Sequence, residues 1–562
     1  MTSNIFGVQM PIIVQDAVND ISDYLKNPEG ANKNDLLILG LKAAGIYIAF
    51  SLLKGLFLFF TRQTIIMMSR KTEYDLKNEI YEQYQRLSFN FYKKNSTGDL
   101  MNRISEDVTK VRMYLGPGIM YTINLFFQFT LVIAIMFSIN SELSFYALLP
   151  LPIMSILIYF VSSVLNKRSE KVQRQQSFLS TIVQESFSGI RVIKAHSREK
   201  EAEKRFDEEA DGYKKASMRL ATANAFFMPT IMLLIGLSTV VTVYIGSLYA
   251  QSKTISPGEI AAFVMYVNML TWPFASVGWV TSVIQRAAAS QKRINEFLKV
   301  KTEIQTDTGE SVVFEKEVEF DNVGITYSNS GVTALSDINL KIEKGTTIGI
   351  IGKTGSGKSS LAYLFMRLVD PSSGKILIDG KDLSSLNLTN WRQYIGYVPQ
   401  EHFLFSDTIK NNILFGVATE DVSDEELYKA ARDAGIHDTI MSFPEQYDTL
   451  LGERGINLSG GQKQRISIAR ALIKNPEILV LDDCLSAVDN ETEEHILEAI
   501  RGDLNRKTSI IISHRISSIK YADQIIVLGE GKVLESGTHD ELMNANGEYR
   551  DIHRKQELQE AV

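Results

Sequence analysis

The stretch TTIGIIGKTGSGKSSLAYLFMRLV, residues 346–369, passes from an apolar run through a glycine-rich loop into a helical pattern. Residues 346–351 read as a buried strand and 359–369 as a helix. Between them Gly352, Gly355 and Gly357 permit a tight loop whose backbone N–H groups converge on phosphate. The start of the helix adds a favourable partial positive charge. In such a loop Lys358 reaches the β- and γ-phosphates, and the Ser359 hydroxyl ligates Mg²⁺. Gly352, Lys353, Thr354, Gly355, Ser356, Gly357, Lys358, Ser359 and Ser360 therefore form the candidate nucleotide-binding loop.

Further along, 478–481 is a second apolar strand, ending in Asp482. A carboxylate at a strand tip beside a phosphate loop is the expected partner of the same Mg²⁺. Residues 457–461 supply a small-residue turn, and QKQRISIARALIK at 462–474 reads as a helix. Ser459, Gly460 and Gly461 at its start make a second anion cradle. Another apolar strand, 509–513, leads into His514, and YVPQ ends in Gln400.

The amino-terminal half has a different character. Four uncharged runs (113–141, 143–166, 220–252 and 260–285) follow a fifth, 36–60, interrupted only by Lys42 and Lys54. Each is long enough to cross a bilayer core, which takes ~20 apolar residues as helix. Basic residues cluster after the first run (Arg62 to Lys94), between Lys167 and Arg205, and at Arg286, Lys292 and Arg293. The opposite connections hold Lys253 as their one cation. The positive-inside rule places the basic loops and the C-terminal half in the cytoplasm. The single cysteine, Cys484, suits a reducing compartment. A net charge of −7 argues against a nucleic-acid partner. Residues 1–15 lack the basic start of a signal peptide.

Together GKTGSGKS (352–359), Gln400, LSGGQ (458–462), ILVLDD (478–483) and SHR (513–515) resemble the nucleotide-binding domain of the ATP-binding cassette (ABC) superfamily. The whole chain except its start is similar to bacterial multidrug and lipid exporter half-transporters. That resemblance implies an α-helical transmembrane bundle, its long helices extending into the cytoplasm, followed by an α/β P-loop ABC nucleotide-binding domain. The expected division is a transmembrane domain over 1–300, a linker over 301–315 and the nucleotide-binding domain over 316–562. Spans are expected near 36–60, 113–139, 143–166, 220–250 and 258–285. Such half-transporters have six spans, so the first is expected to be incomplete, with residues 5–21 as its exit.

The resemblance also assigns roles. Tyr327, in GITYS, stacks on adenine. Gln400 touches Mg²⁺ and the attacking water, alongside the metal ligands Ser359 and Asp482. Ser459, Gly460, Gly461, Gln462 and Asp489 act in trans on the ATP of a second chain. His514 contacts the γ-phosphate, and residues 91–105 and 196–211 are the coupling regions. Where the family carries a glutamate as general base, this chain has Asp483. The same carboxylate on a stem shorter by ~1.5 Å implies reduced hydrolysis.

The implied function is ATP-driven export or flipping of a hydrophobic or amphipathic substrate, lipid or drug, across the cytoplasmic membrane. The cofactors implied are ATP and Mg²⁺, and the partner is a second half-transporter. Asp483 leaves two pairings open, the degenerate-site subunit of a heterodimer or a slow homodimer. An ATP-gated channel or regulatory ABC protein is the alternative function. Lys54, inside its span, is either a headgroup partner or a snorkelling lysine.

Overall fold

Buried positions alternate along Thr333–Glu343, falling on Leu335, Ile338, Leu340 and Ile342 while Lys341 and Glu343 point outward. By contrast Ile478–Asp482 is buried at every position, as expected of a parallel strand covered on both faces. These two patterns separate the two sheets of the C-terminal half. The computed structural model describes residues 2–26, 33–306, 308–328, 330–417, 422–485, 490–503 and 507–560.

Its strands are β1 (Glu317–Thr326), β2 (Thr333–Glu343), β3 (Thr347–Gly352), β4 (Ser373–Ile378), β5 (Lys381–Asp382), β6 (Ile395–Val398), β7 (Ile478–Asp482), β8 (Thr508–Ile512), β9 (Gln524–Gly529) and β10 (Lys532–Gly537). An antiparallel sheet has the order β2-β1-β4-β5, and a second sheet the order β10-β9-β3-β8-β7-β6. In the second, β6, β7, β8, β3 and β9 run parallel and β10 pairs antiparallel with β9. One core lies around Phe320, Phe365 and Trp391, another around Leu404, Ile466 and Tyr549. Trp391 is fully buried, its ring set near Phe314 and Phe365 and its indole N–H donated to the Phe365 carbonyl at 3.0 Å.

The chain divides into two units, residues 1–83 with 98–300, and residues 84–97 with 301–562. The short segment 84–97 thus packs with the sheets, where the Phe89 ring meets Tyr363 edge-on at 5.4 Å.

The other unit is helical. Its elements include Thr2–Lys26, Lys33–Arg86, Ile119–Ile139, Pro150–Ser188, Glu199–Gln251 and Pro257–Leu298. The 54 residues of Lys33–Arg86 rise about 80 Å at 1.5 Å each, against a hydrocarbon core of ~30 Å. Among the described residues five helices are long and apolar enough to cross a membrane, and each continues well beyond its apolar window. The descending limb after Asn140 runs on through Pro150, which lacks an N–H to continue the ladder, while Leu149 before it keeps helical backbone angles (φ −54°, ψ −40°). Asn140 caps the preceding short helix, accepting from Leu143 N–H at 2.8 Å. Between residues 97 and 119 two π-turns, Arg103–Asp107 and Tyr114–Gly118, interrupt the α-helix.

Thr2–Lys26 is not among the five apolar helices. It is tied in by specific bonds: Tyr266 Oη donates to Val8 O at 2.8 Å, Gly258 N to Asn19 Oδ1 at 2.9 Å, and Ser3 Oγ to Lys54 O at 3.0 Å. Asp107, buried, accepts from Ser290 Oγ at 2.8 Å and Arg293 Nε at 2.8 Å. That pair fastens the helix at 257–298 to the π-turn region.

Candidate functional site

Parallel strands deliver their carboxyl ends to one edge of the sheet, the usual place for a ligand in an α/β fold. Here β3 and β8 pair Ile350 with Ile512, and β7 and β8 pair Asp482 with Ile512. The loop after β3, the tip of β7 and the segment after β8 are therefore neighbours, although they are far apart in the chain.

The loop turns through left-handed backbone at Gly355 (φ 83°) and Gly357 (φ 99°) and enters the helix Lys358–Phe365. That helix is shorter than the expected 359–369. Arg367 adopts φ 47°, and bonds from Leu368 N to Tyr363 O and from Arg367 N to Leu364 O close the helix, the Schellman pattern. Arg367 tolerates a position that favours glycine because its side chain is held by Asp370 at 2.7 Å and by the carbonyls of Leu383 and Ser384.

Lys358 is buried and donates to the carbonyls of Gly352 at 2.7 Å and Lys353 at 3.0 Å. Burial holds its ammonium below the ordinary lysine value, with Asp483 and Asp482 pulling the other way. Ser359 Oγ donates to Asp482 Oδ1 at 3.1 Å, and Gln400 Nε2 donates to Asp483 Oδ2 at 3.3 Å. His514 Nε2 lies 3.8 Å from Asp483 Oδ2. Lys358, Ser359, Gln400, Asp482, Asp483 and His514 thus form one cluster. Tyr327 joins its rim through a 3.0 Å hydroxyl contact with Ser360.

Ser459, Gly460, Gly461 and Gln462 form the start of a separate helix, Gly460–Leu472. Ser459 and Gln462 make a capping box there, and Ser459 and Gly460 are exposed. Lys353 and Thr354 are exposed on the loop. Asp489 lies outside the described residues.

The cluster fits phosphate and a hard cation. Ser356 Oγ is buried in the loop without a hydrogen-bond partner among the described residues, an unmet group that a phosphate oxygen would satisfy. Ser359 and Asp482 offer adjacent oxygens, the donor type Mg²⁺ takes in small number when phosphates complete its shell. Burial raises the Asp482 carboxyl above the usual range, and the Asp483 charge adds to this despite the Ser359 bond. A divalent cation would offset that penalty.

Burial, then the Lys358 charge, push His514 below its ordinary value of 6.5, and Asp483 opposes them. The imidazole is therefore neutral at pH 7. A depressed folded-state value contributes stability that is complete above pH 6.5 and is lost as pH falls through the lowered value. Thermal melts from pH 7.5 to 5 should show this acid loss, and His514→Gln, which has no titrating ring, should flatten it.

Three features were not legible beforehand. Lys93 sits 4.7 Å from the Tyr327 ring centroid and about as close to Phe89 and Tyr363, with its ammonium value lowered by burial. Glu548 meets Lys353 of the loop at 2.8 Å. Gln556 bonds the backbone on both sides of Arg515. All three are long-range contacts between ordinary surface-type residues, and no local pattern announces them.

Comparison with known proteins agrees with this geometry. Residues 1–274 match the ABC transporter transmembrane region and residues 335–486 the ABC transporter family model. The chain is 40% identical over 472 residues to the "probable multidrug resistance ABC transporter ATP-binding/permease protein" of Bacillus subtilis (strain 168), covering 83% of this chain and 80% of that one. It is 32% identical to the ATP-dependent lipid A-core flippase of Syntrophus aciditrophicus (strain SB), covering 91% and 85%. Among solved structures, a bacterial Atm1-family ABC exporter with ATP bound superimposes with a TM-score of 0.81 at 26% identity, over 99% of this chain and 97% of that one. A phosphate loop at the carboxyl edge of a parallel sheet, a membrane helical region ahead of it and these relatives lead to one conclusion. The chain belongs to the ABC transporter family, as a multi-pass, ATP-hydrolysing exporter of the half-transporter type with its nucleotide-binding domain in the cytoplasm.

Proposed function

We infer that this chain is one half of a dimeric exporter that exports or flips a hydrophobic or amphipathic substrate, lipid or drug, across the cytoplasmic membrane. Its transmembrane domain extends to about residue 300 and its nucleotide-binding domain begins near 316. The observation that carries the reading is the gathering of Lys358, Ser359, Gln400, Asp482, Asp483 and His514 at one sheet edge.

In each site ATP lies on the loop 352–360, with Tyr327 against adenine. The exposed start of the helix at Ser459–Gln462, together with Asp489, closes on the ATP of the partner chain. Ser359, Asp482 and Gln400 would hold Mg²⁺, which when bound supplies charge neutralisation between the phosphates. Lys358 neutralises phosphate oxygens, Asp483 orients or deprotonates the attacking water, and His514 contacts the γ-phosphate. Closure of two such domains turns the helices outward, and hydrolysis resets them.

A cavity of about 930 Å³ in the helical unit supports the substrate class. Phe126, Phe129 and Phe274 line it with apolar surface, and Lys167, Glu170 and Gln285 add polar groups. Its volume lies within the range of ligand pockets, ~300–1,000 Å³. Reconstitution into vesicles, with its natural mate if it has one, tests the reading. A fluorescent lipid or drug should cross the bilayer with ATP and stop when a non-hydrolysable analogue replaces it. Translocation sustained without hydrolysis would favour the gated-channel alternative.

A further inference from the structure

The helix Glu548–Glu560 touches the nucleotide cluster at two places. At its start Glu548 and Tyr549 donate their N–H groups to the Glu535 carboxylate, at 2.5 and 3.2 Å, and Tyr549 is fully buried with its hydroxyl 2.7 Å from His539. This anchors the helix to β10. From that anchor Glu548 pairs with Lys353 of the phosphate loop at 2.8 Å.

Two turns on, Gln556 reaches the segment that follows β8. Gln556 Nε2 donates to the His514 carbonyl at 2.6 Å, and Ile516 N–H donates to Gln556 Oε1 at 2.9 Å. One side-chain amide thus bridges the backbone across Arg515. A carboxamide suits this place because it carries a donor and an acceptor side by side, whereas a carboxylate only accepts. The far side of the segment is fixed separately. Ser513 Oγ accepts from Arg515 N at 2.9 Å, and the buried Glu493 holds Arg515 Nη1 at 3.2 Å. The two peptide groups flanking Arg515, the first of which carries the His514 carbonyl, are therefore clamped from two directions, and the imidazole is presented 3.8 Å from Asp483.

We propose that Gln556 is the positioning residue of His514, holding its backbone so that the imidazole meets the terminal phosphate of ATP. The proposal rests on the reading of His514 given above. Gln556 acts through His514 and touches neither nucleotide nor metal, so its loss changes the rate of hydrolysis and leaves nucleotide affinity alone.

The test uses the full chain in lipid, with any natural mate. Gln556→Glu keeps size and acceptor but removes the donor, and Gln556→Leu removes both bonds. Each should lower kcat about ten-fold, short of the ~100-fold that a 1 Å misplacement can cost, with KM for ATP within about two-fold. Hydrogen exchange of the Ile516 amide should quicken in Gln556→Leu while β8 stays protected. Added to His514→Ala, either substitution should change kcat no further.

Multiplicative losses in that double variant, an altered KM with kcat intact, or unchanged exchange at Ile516 would each overturn the proposal. If His514→Ala by itself leaves turnover unaffected, the role given to His514 fails instead. The clamp is then judged by the exchange at Ile516, where no change would refute it too.

Discussion

Asp483→Glu is expected to raise ATP turnover on the order of a hundred-fold. The Asp483 backbone is fixed by its own N–H, which donates to Ile512 O at 2.8 Å, so the carboxylate cannot advance by sliding the chain. From that fixed point its Oδ2 is 3.3 Å from Gln400 Nε2 and 3.8 Å from His514 Nε2, a loose contact with each. One more methylene carries the oxygens ~1.5 Å further toward the phosphate side, and an error of that size costs on the order of 100-fold. The gain has a cost. Asp483 sits at φ 47°, a left-handed position that short polar side chains accept better than glutamate. Stability should fall by about 1 kcal/mol. Phosphate release by the purified chain, with and without Mg²⁺, measures the first effect and a thermal melt the second. Equal turnover in both proteins would mean that Asp483 is not short of its target, and the degenerate-site pairing would lose its basis.

Gly357→Ala should produce the largest loss. A Cβ there would stand 2.4 Å from the Ala334 carbonyl oxygen and 2.5 Å from Leu335 Cδ2, both on β2, and Gly357 holds φ 99°. Neither the strand backbone nor the dihedral can yield without moving the loop that carries Lys358. A displacement near 1 Å costs on the order of 100-fold, and ATP affinity should fall with it. Gly355→Ala is the matched control, because its Cβ would meet nothing within 4 Å although its φ is also positive. Nucleotide titration of the two variants separates steric displacement from backbone strain. ATP binding by Gly357→Ala as tight as by the unaltered chain would contradict the loop's assigned role.

The parts of this molecule readable from sequence are those with a local physical signature. Bilayer thickness forces long uncharged runs, and among the described residues five helices carry them. Burial on both faces forces the continuous apolar strands that place Gly352, Asp482 and His514. Helix ends were less legible. The helix after the phosphate loop stops at Phe365 rather than Val369 because Arg367 reverses the backbone, a choice made by distant carbonyls. The helix carrying the expected 113–139 span starts at Thr97 and contains two π-turns, which have no compositional mark. Residues 84–97, which overlap the expected coupling region at 91–105, pack with the sheets, and their bounds have no mark in the sequence. Phe89 and Lys93 are apolar and basic residues like many others, and only tertiary contact distinguishes them.

Cys484 follows Asp483 directly, is 1% exposed, and is the one cysteine in the chain. Burial drives its thiol well above the ordinary range, which leaves almost no nucleophilic thiolate at neutral pH. Maleimide and nitroxide reagents should therefore pass over the native protein. A probe attached to an engineered surface cysteine will report from that position alone, with the natural sulfur left in place to support the tip of β7.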